Sequence, residues 1–201
     1  MELGPDRLPL WVKLADTAFV AVVVPVYAVR YGPGNFLWFS DIALIGSVAA
    51  LWLENPLLAS TLALAVLLPE LAWNVDFFGR LFSGRHLLRL ARYMFDRRIS
   101  PFVRGLSLFH VFLPVLLVWT VSRLGYDRRA VLAQTALCWI VLPASYLLTS
   151  PAENVNWVFG PRAKPQRRLH PIAYLAALMA FFPLAVYWPS HLVLAALFAR
   201  D

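Results

Sequence analysis

The sequence predicts an all-α, polytopic integral membrane protein: about six transmembrane helices plus an amphipathic interfacial helix. Three observations carry that prediction. Of the 201 residues, 61% are hydrophobic and only 14% are charged, where a soluble domain carries about 25% charged residues. Mean hydropathy is +0.67, more apolar surface than a soluble fold of this length can hide. The apolar residues also come in runs that suit a hydrocarbon core of about 30 Å, which takes roughly 20 residues to cross. The 8 Trp fit interfacial aromatic belts.

The first span is expected over 12–29, with Pro25 inside it as a potential kink, and Gly32-Pro33-Gly34 breaks the chain after it. The second is expected over 36–53. Asn55-Pro56 turns tightly into the third, 56–78. Residues 79–100 differ in kind. Arg80, Arg85, Arg89, Arg92, Arg97 and Arg98 interleave with Leu87, Leu88, Leu90, Tyr93, Met94 and Phe95. That pattern predicts a basic amphipathic helix on an anionic lipid surface, with Arg85, Arg89 and Arg92 in contact with it. The fourth span is expected over 101–122 and the fifth over 130–149. A polar loop follows over 150–171. The sixth span runs from about 172 to 199, bent at Pro183, Pro189 and Ser190. The whole of 1–201 reads as one transmembrane bundle. The start of the chain lacks the basic region and small-residue site of a cleaved signal peptide, so no cleavage is expected. The single cysteine, Cys138, excludes an internal disulfide and a multi-cysteine metal site.

Net charge is +7, yet the basic residues sit in loops between apolar runs, so topology explains them and nucleic acid is not expected as a partner. One side collects Arg30, Arg80, Arg85, Arg89, Arg92, Arg97, Arg98, Arg104, Arg162, Lys164, Arg167 and Arg168. The other holds Arg7, Lys13, Arg123, Arg128, Arg129 and Arg200. The first side is therefore expected to be cytoplasmic at the cell membrane, with both termini opposite.

Ionisable groups inside a membrane are costly and mark function. Ser40 and Asp41 fall near the basic-side end of span two, and Glu70, Asn74 and Asp76 near that end of span three. His110 falls about two turns into span four. Ser145 and Tyr146 close span five, and Asn154, Asn156 and Trp157 open the loop after it. Glu70 and Asn74 share a helix face at i, i+4, and Trp38 and Asp41 share another at i, i+3. Topology thus gathers a polar cavity in one leaflet, lined by Trp38, Asp41, Glu70, Asn74, Asp76, Tyr146, Asn154 and Asn156. The outer halves of spans two to four are mainly Leu, Ala and Val. A hydrogen-bond network holding the helices together is the structural alternative.

His110 is the one histidine within a span, so a three-ligand zinc site is not expected. Its chemistry suits a general base near neutral pH. Ser40 lies at matching depth on another helix as a candidate nucleophile.

Three segments resemble a superfamily of six-helix membrane proteins that contains the YwaF-like bacterial proteins and the androgen-induced-gene-type lipid hydrolases. They are Asn35-Phe36-Leu37-Trp38-Phe39-Ser40-Asp41-Ile42, His110-Val111-Phe112-Leu113-Pro114 and Asn154-Val155-Asn156-Trp157-Val158-Phe159-Gly160. Ser40 stands where that group carries cysteine or threonine. His110 matches the catalytic histidine of the hydrolase branch. The resemblance implies a serine/histidine-dependent hydrolase or acyltransferase acting on lipid esters. For that reaction Asn74, Asn154 and Asn156 are the candidate oxyanion donors, and no cofactor is expected. The alternative is a non-enzymatic lipid- or cofactor-binding protein, or a structural subunit with membrane-protein complex partners. A transporter fits poorly, because the six runs contain no repeat.

Overall fold

The structure, a computed structural model, describes residues 8–161 and 165–199. Arg7, Arg162, Lys164 and Arg200 of the charge comparison lie outside the described residues. Helix α1, Leu10–Tyr31, runs through Pro25 and stops where Gly32 adopts φ 79°, a conformation that glycine reaches without strain. A short 3-10 turn, Pro33–Leu37, leads to α2, Phe39–Trp52. The Asn55 side chain accepts from Leu58 N and caps α3, Pro56–Ser83, with Pro56 in its first turn, the position where a missing N–H costs nothing.

Helices α4, Pro101–Leu106, and α5, Phe109–Leu124, form one span broken at Ser107 and Leu108. Helix α6 is Ala130–Leu148. The last span joins α7, Pro171–Phe181, through a π-helical turn, Phe182–Tyr187, to α8, Trp188–Phe198. The protein is therefore all-α and membrane-spanning. Among the described residues, five stretches are long and apolar enough to cross a bilayer: Leu10–Tyr31, Pro56–Ser83, Pro101–Leu124, Ala130–Leu148 and Pro171–Phe198.

Helix α2 is the exception to the six expected spans. Its 14 residues rise only about 21 Å. The first residues expected in that span form the 3-10 turn instead, which adds to its reach. The chain nonetheless passes six times between the two ends of the bundle. At one end Glu54 accepts from Leu8 N, Ser60 accepts from Asp127 N, and Tyr126 N donates to Phe198 O. At the other end Tyr27 meets Ser107, and Asn156 meets Leu37 and Phe39. Residues 8 and 199 thus lie at the same end.

Helix α3 is central, packing most extensively on α5 and α2. Its approach to α2 is close: a Cβ at Gly46 would lie 2.9 Å from Leu62 Cδ1. Small residues at such crossings let backbones come near, as membrane helix pairs require. The main core joins α1, α2, α3 and α5, and a second core gathers Phe39, Leu142, Val158, Phe182 and Tyr187 around α6 and the last span. Leu132, Leu147, Leu148 and Leu184 stand outward and exposed, as lipid-facing residues should.

The segment 79–100 does not form the expected helix. Residues 79–83 complete α3, Gly84 takes the left-handed conformation at φ 72°, and the chain then folds irregularly up to a single turn at Arg92–Phe95. The cause is Asp76. Its carboxylate, 0% exposed, accepts from Leu88 N at 2.8 Å, Arg89 N at 2.9 Å and Ala91 N at 2.9 Å, and meets His86 Nδ1 at 3.2 Å. A fully buried carboxylate that captures three backbone amides outcompetes helical amphipathicity. Arg85, Arg89 and Arg92 remain exposed beside Leu87 and Leu88.

Asp76→Ala removes that acceptor and leaves the three amides unpaired, at a cost of about 3 kcal/mol. Expected in detergent micelles are a lowered Tm and faster tryptic cleavage at Arg85, Arg89 and Arg92. Unchanged cleavage there would show that the loop does not depend on Asp76.

Candidate functional site

The polar groups expected at one level do converge in part. Glu70 Oε2 lies 2.7 Å from His110 Nδ1, joining α3 to α5, and the two side chains are 4% and 14% exposed. An ionised Glu70 only accepts, so the bond uses the proton of Nδ1, and an imidazole that is neutral with its proton there has its lone pair on Nε2. The ring plane is held by stacking on Trp73, with centroids 4.7 Å apart, and on Phe109, 4.1 Å. Glu70, Trp73 and Asn74 occupy one face of α3 by their i, i+3, i+4 spacing.

Asn74 explains the Pro that follows His110. Pro114 has no N–H, so the His110 carbonyl loses its helical donor. Asn74 Nδ2 replaces it, donating to His110 O at 2.7 Å and to Glu70 O at 2.8 Å. The same device recurs in the last span. Pro183 frees the Met179 carbonyl, and Trp139 Nε1 donates to it at 3.0 Å.

Asp41, 4% exposed, lies within electrostatic range of Tyr27, Tyr31 and Glu70. Tyr27 and Ser107 share a 2.7 Å hydrogen bond at the same end of the bundle. Ser40 is half-buried. Helical spacing sets it on the α2 face of Ala43, Leu44, Ser47 and Leu51, all buried. Its hydroxyl makes no hydrogen bond among the described residues, so no direct bond joins it to His110.

Other expected members of the cavity lie elsewhere. Asp76 faces the 84–91 loop. Asn154 Nδ2 donates to Gly160 O and its Oδ1 accepts from Phe159 N, which ties the loop to itself. Asn156 Nδ2 donates to Leu37 O and Ser145 Oγ, while Oδ1 accepts from Phe39 N at 3.2 Å. Asn156 thus caps the start of α2 from far along the chain, and Asn154, Asn156 and Trp157 all take left-handed backbone, at φ 44°, 50° and 58°. These amides are occupied by structural bonds rather than presented toward His110. Tyr146 packs on Phe159 in the second core. Trp38 meets Trp157 edge to face, centroids 5.9 Å apart.

The opposite half of the bundle is not purely apolar. Asp16 Oδ2 accepts from Ser47 Oγ at 2.9 Å, and Lys13, 3% exposed, pairs with Glu54 at 3.0 Å. Trp52 Nε1 donates to Thr17, and Lys13 lies over the Trp52 ring. Helix α6 adds a fully buried trio, Gln134 and Cys138 against Tyr187 of the π turn. The Lys13 and Asp16 spacing, i, i+3 inside an apolar run, was the signal available for the first of these. Among the described residues, no three His, Cys, Asp or Glu side chains converge as a metal site requires.

No protein-family model, curated protein or solved structure matches this chain.

Asn74→Ala is expected to cost about 1–2 kcal/mol, because the His110 carbonyl is left unpaired. In a Pro114→Ala background the helix supplies its own N–H, and the cost should shrink. Additive costs in this double-mutant cycle, read by unfolding in mixed micelles, would break the proposed coupling.

Proposed function

We propose that the chain is a multi-pass protein of the cell membrane, with its basic loops cytoplasmic and both termini opposite. The Glu70–His110 pair would then serve a serine/histidine-dependent lipid ester hydrolase or acyltransferase. The observation that carries the reading is the commitment of His110 Nδ1 to a buried carboxylate. An imidazole held this way presents Nε2 as a base of fixed tautomer and orientation, which is the arrangement nucleophilic catalysis needs.

Ser40 is the hydroxyl that the helix geometry turns toward the bundle without a competing partner. In the proposed reaction Ser40 Oγ attacks the ester carbonyl and His110 Nε2 takes the hydroxyl proton. That proton then passes to the departing alcohol. Water resolves the acyl-serine in a hydrolase, and a second alcohol does so in an acyltransferase. The first-turn N–H groups of Ser40 and Asp41 have no helical carbonyl to meet, so they are free to donate to the developing oxyanion. This replaces the side-chain amides of Asn74, Asn154 and Asn156 in that role. The substrate would enter laterally from the leaflet that contacts Arg85, Arg89 and Arg92. The resemblance carried by Ser40 and by His110-Val111-Phe112-Leu113-Pro114 supports the same chemistry.

One observation favours a second reading, a non-enzymatic lipid- or cofactor-binding protein or a subunit of a membrane complex: Ser40 and His110 share no hydrogen bond. Reaction with a fluorophosphonate probe separates the two. Wild-type protein should label, Ser40→Ala should not, and His110→Gln and Glu70→Gln should label about 10²-fold or more slowly. Labelling of Ser40→Ala at the wild-type rate, or no labelling of folded wild type, would overturn the enzymatic reading.

A further inference from the structure

A cavity of about 160 Å³ opens at the start of α2, lined by Tyr31, Asn35, Trp38, Glu153 and Val155. It is several times the ~30 Å³ that one water occupies. Its chemistry is specific. Tyr31 and Trp38 supply two aromatic side chains. Glu153 supplies a carboxylate whose Oε2 accepts from Ser150 N and Ser150 Oγ, both at 2.7 Å. Those bonds hold the carboxyl below its usual pKa, so it stays charged at neutral pH. Its Oε1 takes no hydrogen bond, and it would be 3.3 Å from a Cβ placed on Gly34. Asn35 adds a buried Nδ2 without a partner, a donor left over in a bundle where such groups are costly.

Aromatic faces beside one carboxylate are the chemistry that recognises a quaternary ammonium ion. Such an ion cannot donate a hydrogen bond, so it gives up little by leaving water and gains from ring quadrupoles and one negative charge. We infer that this cavity binds the choline-type trimethylammonium headgroup of a membrane phospholipid. Trp38 is held edge to face by Trp157 and precedes Ser40 by two residues, so this ring and the candidate nucleophile belong to the same first turn of α2. The binding site stands on its own geometry. Its role as the headgroup subsite for ester chemistry at Ser40 rests on the function proposed above.

The test uses the full chain in maltoside micelles and follows intrinsic tryptophan fluorescence. The probes are tetramethylammonium chloride, short-chain phosphatidylcholine, short-chain phosphatidylethanolamine and soluble glycerophosphocholine. Saturable binding of tetramethylammonium and of phosphatidylcholine is expected, with phosphatidylethanolamine and glycerophosphocholine weaker. Glu153→Gln keeps the acceptor for Ser150 and should weaken binding about tenfold. Trp38→Leu should do the same, with Tm confirming that the variant folds. No saturable binding by wild type, equal affinity for both phospholipids, or unchanged affinity in a folded Glu153→Gln protein would each overturn the proposal. Glycerophosphocholine binding as tightly as the lipid would overturn the assignment to a membrane headgroup. Fluorophosphonate labelling of Ser40 is scored separately, so a failed binding site and a failed nucleophile give different results.

Discussion

Hydrocarbon offers no hydrogen bonds, so a polar group that these helices turn inward is costly unless it finds a partner inside the bundle. A buried carboxylate left alone costs several kcal/mol. Glu70 meets His110, Asp16 meets Ser47, and Asp76 meets three backbone amides and His86. The same constraint acts at two of the prolines. Wherever Pro114 or Pro183 removes a donor, a side chain on a neighbouring helix supplies one. Helix-breaking residues thereby become points of attachment between helices.

The consequence for α3 is a division of labour along its length. Its first half is packing surface, with Ala59, Ala63, Ala65 and Leu64 almost fully buried. Its second half carries Glu70, Trp73, Asn74 and Asp76 in quick succession: the first three meet His110 on α5, and Asp76 reaches the 84–91 loop. The helix nearest the middle of the bundle therefore decides both where His110 points and how the basic loop folds. An imidazole held by a carboxylate and two aromatic stacks is preorganised, as the proton-accepting role proposed for it demands.

Much of this was legible in the sequence, because apolar runs and charged loops report directly on a bilayer. Matching depth placed Asp41, Glu70 and His110 in one leaflet, and the i, i+4 spacing of Glu70 and Asn74 set their shared face, but only the contact itself shows that Glu70 is the partner of His110. The rest needed contacts that no periodicity encodes. The arginine-rich run 79–100 has the composition of an interfacial helix, yet its backbone amides belong to Asp76. Asn154 and Asn156 look like cavity residues because they are polar, and only the folded chain shows their amides consumed by the loop and by the start of α2. Asp16 and Lys13 sit within about two turns of the start of α1, where charges are ordinarily interfacial. Their burial depends on Ser47 and Glu54 arriving from α2 and the turn after it.

The central claim is that a buried Glu70–His110 pair joins α3 to α5 and fixes the imidazole. Nitrogen-15 NMR of histidine-labelled protein in lipid bilayers tests it most directly. The account predicts that His110 carries its proton on Nδ1, and that Glu70→Gln shifts that resonance while those of His170 and His191 stay in place. A His110 signal protonated on Nε2 alone, or one unmoved by Glu70→Gln, would contradict it.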